Sequence, residues 1–378
     1  MKRPQLPTRQ AWEKYHTLEI MSTPKQAFFD IAADEIAALA ALDLIGPATW
    51  AKVRQNFPSL QSFLSVPPST LSGILNPSQQ TALRERQTAI AIPKGIKLIL
   101  LGDRDYPELL REINDPPLWL FIAGNHRSLT GKTLAVVGSR KHSSYAGAAI
   151  EQLLPDPIAK KIIIISGLAY GIDKMAHQRS LAAGGVTVAV LAGGLDKIYP
   201  SGHEQLARQI VASGGALVSE YPPGSPALPF KFPVRNRIIA GLSRATVVVE
   251  AAVKSGTMST ARSAIDYNRE LFVVPGDITR KTSEGCNYLI AQGAAPLITP
   301  VQLRHFFNIK TKRPRRHLDQ SSGELVDLLS REGRRIDQIV ADTGQSIEAV
   351  LQKLTELELA GTVYQIRPGV YQTKKNHG

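Results

Sequence analysis

Phe230-Lys-Phe-Pro-Val-Arg-Asn-Arg-Ile-Ile-Ala-Gly-Leu-Ser-Arg-Ala-Thr-Val-Val-Val-Glu-Ala-Ala-Val-Lys-Ser-Gly-Thr257 is the stretch whose reading decides the fold. Its apolar middle predicts a helix over 234–242, followed by a strand over 245–249. The run Thr246-Val-Val-Val is β-branched and uncharged, as a parallel strand buried on both faces requires. Beyond it, Lys254-Ser-Gly-Thr257 leads into a second helix over 257–268. In a strand-helix alternation each helix starts at the sheet edge where the preceding strand ends. Arg235, Asn236 and Arg237 therefore share one crevice with Lys254, Ser255, Gly256 and Thr257, and open α/β sheets bind ligands in that crevice. Two arginines, a lysine, a hydroxyl-glycine-hydroxyl turn and helix N-termini suit an anion, phosphate above all. For this stretch alone, a solvated basic rim around an ordinary sheet is the alternative.

Outward from this stretch the same unit recurs. Strands are expected over 133–137, 161–166, 186–191, 216–219 and 271–275, with helices or glycine-rich turns between them. Two further apolar strands precede them, near 97–101 and 118–122. The alternation predicts an α/β fold, a Rossmann-like doubly wound parallel sheet over 91–307. Residues 27–90 read as four or five short helices punctuated by Pro58, Pro67, Pro68 and Pro77, a small helical domain of SAM or helix-hairpin-helix type. Leu44-Ile-Gly-Pro-Ala-Thr resembles half of such a hairpin, but its second glycine is absent, so a packing module is expected. Residues 1–26 read as a loose arm and 308–318 as a basic linker. Residues 319–378 read as three helices and a β-hairpin around Arg367-Pro-Gly369, a winged helix.

At 378 residues, with 43% hydrophobic and 20% charged residues, the chain is an ordinary globular protein of several domains. A net charge of +13 points to a polyanionic partner. No apolar run approaches membrane-span length, and Met1-Lys-Arg-Pro-Gln-Leu-Pro lacks the apolar core of a signal peptide. The single cysteine, Cys286, excludes an intramolecular disulfide and suits a reducing cytoplasm.

Among motifs, Gly138-Ser139-Arg140 follows a strand but lacks the three-glycine dinucleotide fingerprint, and no acidic residue ends the second strand. NAD is therefore not expected, whereas a guanidinium at that turn suits a phosphate. Gly167, Gly171, Gly193, Gly194 and Gly256 fall on the same edge, where they permit close approach of a ligand or simply tight turns. Glu220, Glu250, Asp173 and Asp196 gather there too, either as an acid/base set or as structural partners of the arginines. No His or Cys spacing supports a metal site. The would-be recognition helix of the winged domain carries Glu348, Lys353, Glu356 and Glu358. A helix that reads a major groove places Arg, Lys, Asn or Gln at its N-terminal end, where Gln345 and Gln352 are the only candidates, so this net acidic helix is expected to meet protein.

These segments come in a familiar order. Gly138-Ser-Arg, Ser166-Gly-Leu-Ala-Tyr-Gly-Ile-Asp173, Ala192-Gly-Gly-Leu-Asp-Lys-Ile-Tyr-Pro200, Ser219-Glu-Tyr-Pro222, Phe232-Pro-Val-Arg-Asn-Arg-Ile-Ile-Ala-Gly-Leu-Ser243, Lys254-Ser-Gly-Thr-Met-Ser-Thr-Ala261, Val274-Pro-Gly276 and Gly285-Cys-Asn287 together resemble the bacterial DNA-processing protein A family, also called Smf. The resemblance covers roughly residues 91–305 and extends more loosely to both ends. It implies a non-enzymatic protein that binds single-stranded DNA in the crevice, protects incoming transforming DNA, loads a RecA-type recombinase and forms a homodimer through the Rossmann-like domain. No cofactor is implied. The implied phosphate contacts are Ser139, Arg140, Arg235, Asn236, Arg237, Ser255, Gly256 and Thr257. Lys197, Lys231 and Lys254 join them by position and charge, and Phe232 would stack a base. The alternative is a nucleotide-processing enzyme on a related scaffold, of the phosphoribohydrolase type. Such enzymes carry Pro-Gly-Gly-x-Gly-Thr-x-x-Glu, whereas Lys254-Ser-Gly-Thr-Met-Ser-Thr260 lacks the glutamate.

Overall fold

The structure, a computed structural model, describes residues 28–309, 320–359 and 362–373. The expected arm and nearly all of the basic linker lie outside these residues. The chain divides into two compact units, Met1–Lys310 and Thr311–Gly378.

Sheet formation in the first unit follows the apolar runs. Nine strands form one sheet: β1 (Ile96–Leu100), β2 (Trp119–Gly124), β3 (Thr133–Val137), β4 (Ile163–Ser166), β5 (Thr187–Leu191), β6 (Ala216–Ser219), β7 (Ala245–Val248), β8 (Glu270–Val273) and β9 (Ala295–Pro296). Their order is β1-β2-β6-β5-β4-β3-β7-β8-β9. From β6 to β9 every neighbour is parallel, which is the doubly wound core. The hairpin β1-β2 is added antiparallel to β6, so the sheet is mixed rather than wholly parallel. Strand β3 is buried at every position, whereas the edge strand β1 is buried only at Ile99. Alternate residues serve opposite faces, as the pleat requires. Leu134 and Val136 join Ala146, Ile150, Leu153 and Leu303 on one side. Ala135 and Val137 join Ile238 and Ile239 on the other.

Among the described residues four α-helices precede the sheet: Ala33–Ala40, Pro47–Asn56, Leu60–Leu64 and Pro77–Glu85. Ser59 and Asn76 cap two of them by accepting the backbone N–H groups of Ser62 and Gln79, and Pro47 and Pro77 occupy first-turn positions where no N–H is needed. A boundary near residue 90 does not separate two cores. Trp50 from the helices packs edge-on against Trp119 of β2 at 5.2 Å, and one apolar cluster runs from Phe28 to Leu289.

The second unit is a winged helix. Helices Gln320–Arg331, Ile336–Thr343 and Ile347–Leu359 enclose Leu325, Leu329, Ile339, Val350 and Leu354 with a small sheet, β10 (Arg334–Arg335), β11 (Val363–Arg367) and β12 (Val370–Thr373). Strand β10 was not legible in sequence, because two residues show no periodicity.

The shared core makes a prediction. Trp50→Ala should cost about 3–5 kcal/mol. Hydrogen exchange under rising denaturant should show the helices of 33–85 and the sheet losing protection together; separate loss of the helices first would contradict a common core.

Candidate nucleic-acid interface

Strands β3 to β6 are added outward in one direction, and the chain then returns to place β7 beside β3, so the order reverses between those two strands. The loops after their carboxyl ends are tied by backbone bonds. Ser139 N–H donates to Glu250 O at 2.7 Å, and Ile172 N–H donates to Ser139 O at 3.2 Å. Gly171 makes this packing possible. Its φ is +81°, and a Cβ there would lie 2.6 Å from the Arg140 carbonyl oxygen.

Beside this junction lies an open cleft lined by Arg140, Tyr170, Lys197, Tyr199, Phe232 and Arg235 among others. Arg140 and Lys197 are exposed, and Tyr170 and Tyr199 are 53% and 54% exposed. Phe232 is already engaged: the guanidinium groups of Arg140 and Arg235 lie 5.1 and 5.8 Å from its ring centre, and Tyr199 meets it edge-on at 5.9 Å. The cation–π contact orients Arg140 without neutralising it.

The helix Lys231–Gly241 carries the expected basic residues, but it buries Lys231, Arg235, Asn236 and Arg237. This corrects the sequence reading at two positions. Lys231 is fully buried, ion-paired with Asp43 at 2.8 Å and placed over the Tyr221 ring at 4.5 Å, so it cannot present its ammonium to a ligand. Arg237 donates to both oxygens of Glu220 at 2.6 Å and to the Asp115 carbonyl at 2.8 Å. Both terminal nitrogens of its fork are thus held by carboxylate and backbone, which draws the group away from the cleft.

Arg235 lines the cleft wall. Its guanidinium donates to the Val190 carbonyl and, at 3.2 Å, to Asn236 Oδ1. Burial lowers its pKa to about 10, so it stays charged at neutral pH, and its charge opposes the burial that pushes the Asp173 carboxyl up. Asn236 holds the neighbouring turn, donating to the Gly256 carbonyl at 3.1 Å and to Ser259 Oγ at 2.9 Å. Lys254 and Gly256 are exposed there, Ser255 Oγ is buried without a hydrogen-bond partner among the described residues, and Thr257 is buried at the start of the helix Thr257–Asp266. Ser139 shapes its own turn, its hydroxyl donating to the Lys141 carbonyl at 2.8 Å.

The four acids on this edge all have structural partners. Glu220 holds Arg237; Glu250 Oε2 accepts Ser143 N–H at 2.8 Å; Asp196 Oδ1 accepts Gly224 N–H at 2.8 Å; Asp173 Oδ2 accepts Ala169 N–H at 3.3 Å. No group of three or more His, Cys, Asp or Glu able to hold a metal occurs among the described residues. Tyr170 and Tyr199 are the cleft residues that sequence reasoning left without a role. Their only signal is position, in the turns after the second and third parallel strands.

Residues 97–308 match the family described as DNA recombination-mediator protein A, and residues 310–367 match the DprA winged helix domain. Protein Smf of Escherichia coli strain K12 is 40% identical over 287 residues, covering 72% of this chain and 76% of that protein. DNA processing protein DprA of Streptococcus pneumoniae is 42% identical over 192 residues, covering 51% of this chain and 67% of that protein. The X-ray structure of DNA processing protein A from Streptococcus pneumoniae matches with a TM-score of 0.61 and 31% identity, over 75% of this chain and 99% of that one.

Two predictions test the buried charges. Arg237→Ala leaves the Glu220 carboxylate buried and unpaired, and should cost about 3–5 kcal/mol in a denaturant titration. Glu220→Gln in that background should recover part of the loss; no recovery would mean the pair is not the source. The second concerns His177, whose pKa burial lowers to about 4 while its ring nitrogens bond Thr187 Oγ1 and the Gly167 carbonyl. The unfolded chain takes up this proton near pH 6.5 and the folded chain only near 4, so stability falls as pH drops through that window. The loss attributable to His177 is on the order of 3 kcal/mol. Comparing the pH dependence of stability with that of His177→Asn checks it: equal slopes from pH 6.5 to 4 would exclude His177 as the cause.

Proposed function

The chain belongs to the DNA recombination-mediator protein A family, and on that premise we propose that it binds single-stranded DNA along the carboxyl edge of its sheet. The observation that carries this reading is the pairing of two unburied cations, Arg140 and Lys197, with half-exposed tyrosines in one open cleft. Phosphates take the cations, and unstacked bases take the aromatic faces of Tyr170 and Tyr199 in a manner that tolerates any sequence. Because Phe232 is held between two guanidinium groups, its part is to aim Arg140 rather than to stack freely. The turn Lys254-Ser255-Gly256, held by Asn236, supplies a further phosphate position beside the cleft. Arg235 acts from the wall, through its charge.

The protein protects the strand and passes it to a RecA-type recombinase during natural transformation; the family's description as a recombination mediator supports this. We place this work in the cytoplasm, in keeping with the lone, buried Cys286. Homodimerisation through the first unit belongs to the same reading, supported by exposed Tyr288, Ile298, Val301 and Phe306 around the β9 end of the sheet. A binding role rather than catalysis is supported by the acids of the edge, each engaged with a structural partner. The winged helix faces protein: Glu348, Glu356 and Glu358 are exposed on its third helix beside exposed Ile347 and Leu351.

Fluorescence anisotropy with an oligo-dT strand at several salt concentrations tests the site. Arg140→Ala and Lys197→Ala should each weaken binding and lower the slope of log K against log salt by roughly 0.7, with little change in thermal stability. Deleting residues 319–378 should leave most of the affinity. Unchanged affinity and slope in the Arg140→Ala/Lys197→Ala double variant would overturn the assignment.

A further inference from the structure

The loop after β8 lies on the same edge and is absorbed by nothing described above. Strand β8 pairs in parallel with β7, Val248 opposite Val273, so their following loops run side by side. Gly285 N–H donates to the Ala251 carbonyl at 2.8 Å, and a Cβ on Gly285 would lie 2.6 Å from that oxygen. The β8 loop is thereby pressed against the chain leading to Lys254. On its other side, Tyr145 Oη, from the helix Ser144–Leu153 just beyond Arg140, donates to the Pro275 carbonyl at 2.6 Å.

This loop is a built turn. The Asn287 amide bonds both the N–H and the carbonyl of Gly276, at 3.2 and 3.0 Å. Asp277 Oδ1 accepts from Thr279 through both its backbone N–H and its hydroxyl, at 2.9 and 2.8 Å. At the tip of this anchored turn Ile278 is 87% exposed, the highest value among the large exposed apolar side chains described. Lys281 beside it is exposed, and Arg280 makes only a loose contact with Asp277, at 3.8 Å between half-exposed side chains. Asp277 and Glu284 balance these two cations in number, so bulk charge does not define the turn. What it offers is an apolar tip with adjacent cations, on the strand-end edge and beside the Lys254 turn.

We propose that this turn is an outer subsite of the single-strand path, in which Ile278 packs against the face of a base and Lys281, with Arg280, contacts a phosphate beyond those at Lys254–Thr257. The inference rests on the reading of the edge as a single-strand site. Apolar side chains commonly wedge against bases where nucleic acid is bent or unstacked. A turn stiffened by Asp277 and Asn287 can present such a side chain without ordering a loop on binding.

Oligo-dT strands from about 6 to about 30 nucleotides, titrated against Ile278→Ser, Arg280→Ala/Lys281→Ala and Arg140→Ala, test the subsite. For the two β8-loop variants, the expected result is unchanged affinity for the shortest strands and a loss of about three- to tenfold for the longest. The salt slope on long strands should fall by roughly 0.7 for each phosphate contact removed. Arg140→Ala should lose affinity at every length. If it does while the β8-loop variants match the parent at all lengths, the outer subsite is wrong and the central site stands. If the parent binds no strand of any length, the reading of the edge fails and the subsite with it. A loss by the β8-loop variants that is equal at every length also overturns an outer position. Sedimentation decides one more case: an Ile278→Ser variant that dissociates from dimer to monomer places Ile278 in a subunit contact instead.

Discussion

Placement of β7 beside β3, in register from Leu134 opposite Ala245 to Val137 opposite Val248, is the constraint on which the rest of the first unit depends. Both strands are uncharged, and β3 is buried throughout, so a slip by one residue would turn every side chain to the wrong face. That register fixes where the two chains emerge from the sheet. It brings Ser139 under the Glu250 carbonyl, Gly171 against Arg140, and the Lys254 turn to the side of the same crevice. A ligand site at this point needs no separate scaffold, because the reversal of strand order already leaves a gap between diverging loops.

Burial sorts the basic residues of this edge into two populations with different work. Lys231, Arg235 and Arg237 lie inside, and each meets carboxylate or carbonyl oxygen or an aromatic ring. Buried ion pairs add little net stability, since desolvation offsets most of the attraction, but breaking one is expensive. Their effect is to lock the helix Lys231–Gly241 to the upstream helices through Asp43 and to the β1-β2 connection through Asp115. Arg140, Lys197 and Lys254 remain in water, where their charges can meet a polyanion at small desolvation cost. The fixed population sets the geometry in which the free population acts.

Charge is also unevenly spread along the chain. Residues 320–373 carry eight carboxylates against five Lys and Arg, although the whole chain has a net charge of +13. The excess positive charge therefore resides outside the winged helix. In helix Ile347–Leu359 the exposed positions include Glu348, Glu356 and Glu358, and Lys353 is turned toward the Gln345 side chain at 3.2 Å. A groove-reading helix would place donors for base edges there; this one presents mainly carboxylates and aliphatic side chains, and its exposed amide, Gln352, donates to Glu356 at 3.3 Å.

Local sequence by itself determined most of the strands and most of the helices. Strands β3 and β6 match the expected bounds because short apolar runs are closed by glycine or charged residues at both ends. The helix expected from Val234 begins at Lys231 instead, since Pro233 sits in the first turn, where its missing N–H costs nothing. The edge on which each loop falls was likewise legible, because strand-helix alternation assigns each loop to an edge. What only the tertiary structure decided is which cations are free. Lys231 and Lys197 look equivalent in sequence, yet one is fully buried against Asp43 from a turn far away in the chain and the other is in solvent. The antiparallel seating of β2 on β6 was likewise hidden, as was the continuity of the Trp50 and Trp119 cores. Each depends on contacts between residues far apart in the chain, and neither periodicity nor residue type records which distant partner a side chain will meet.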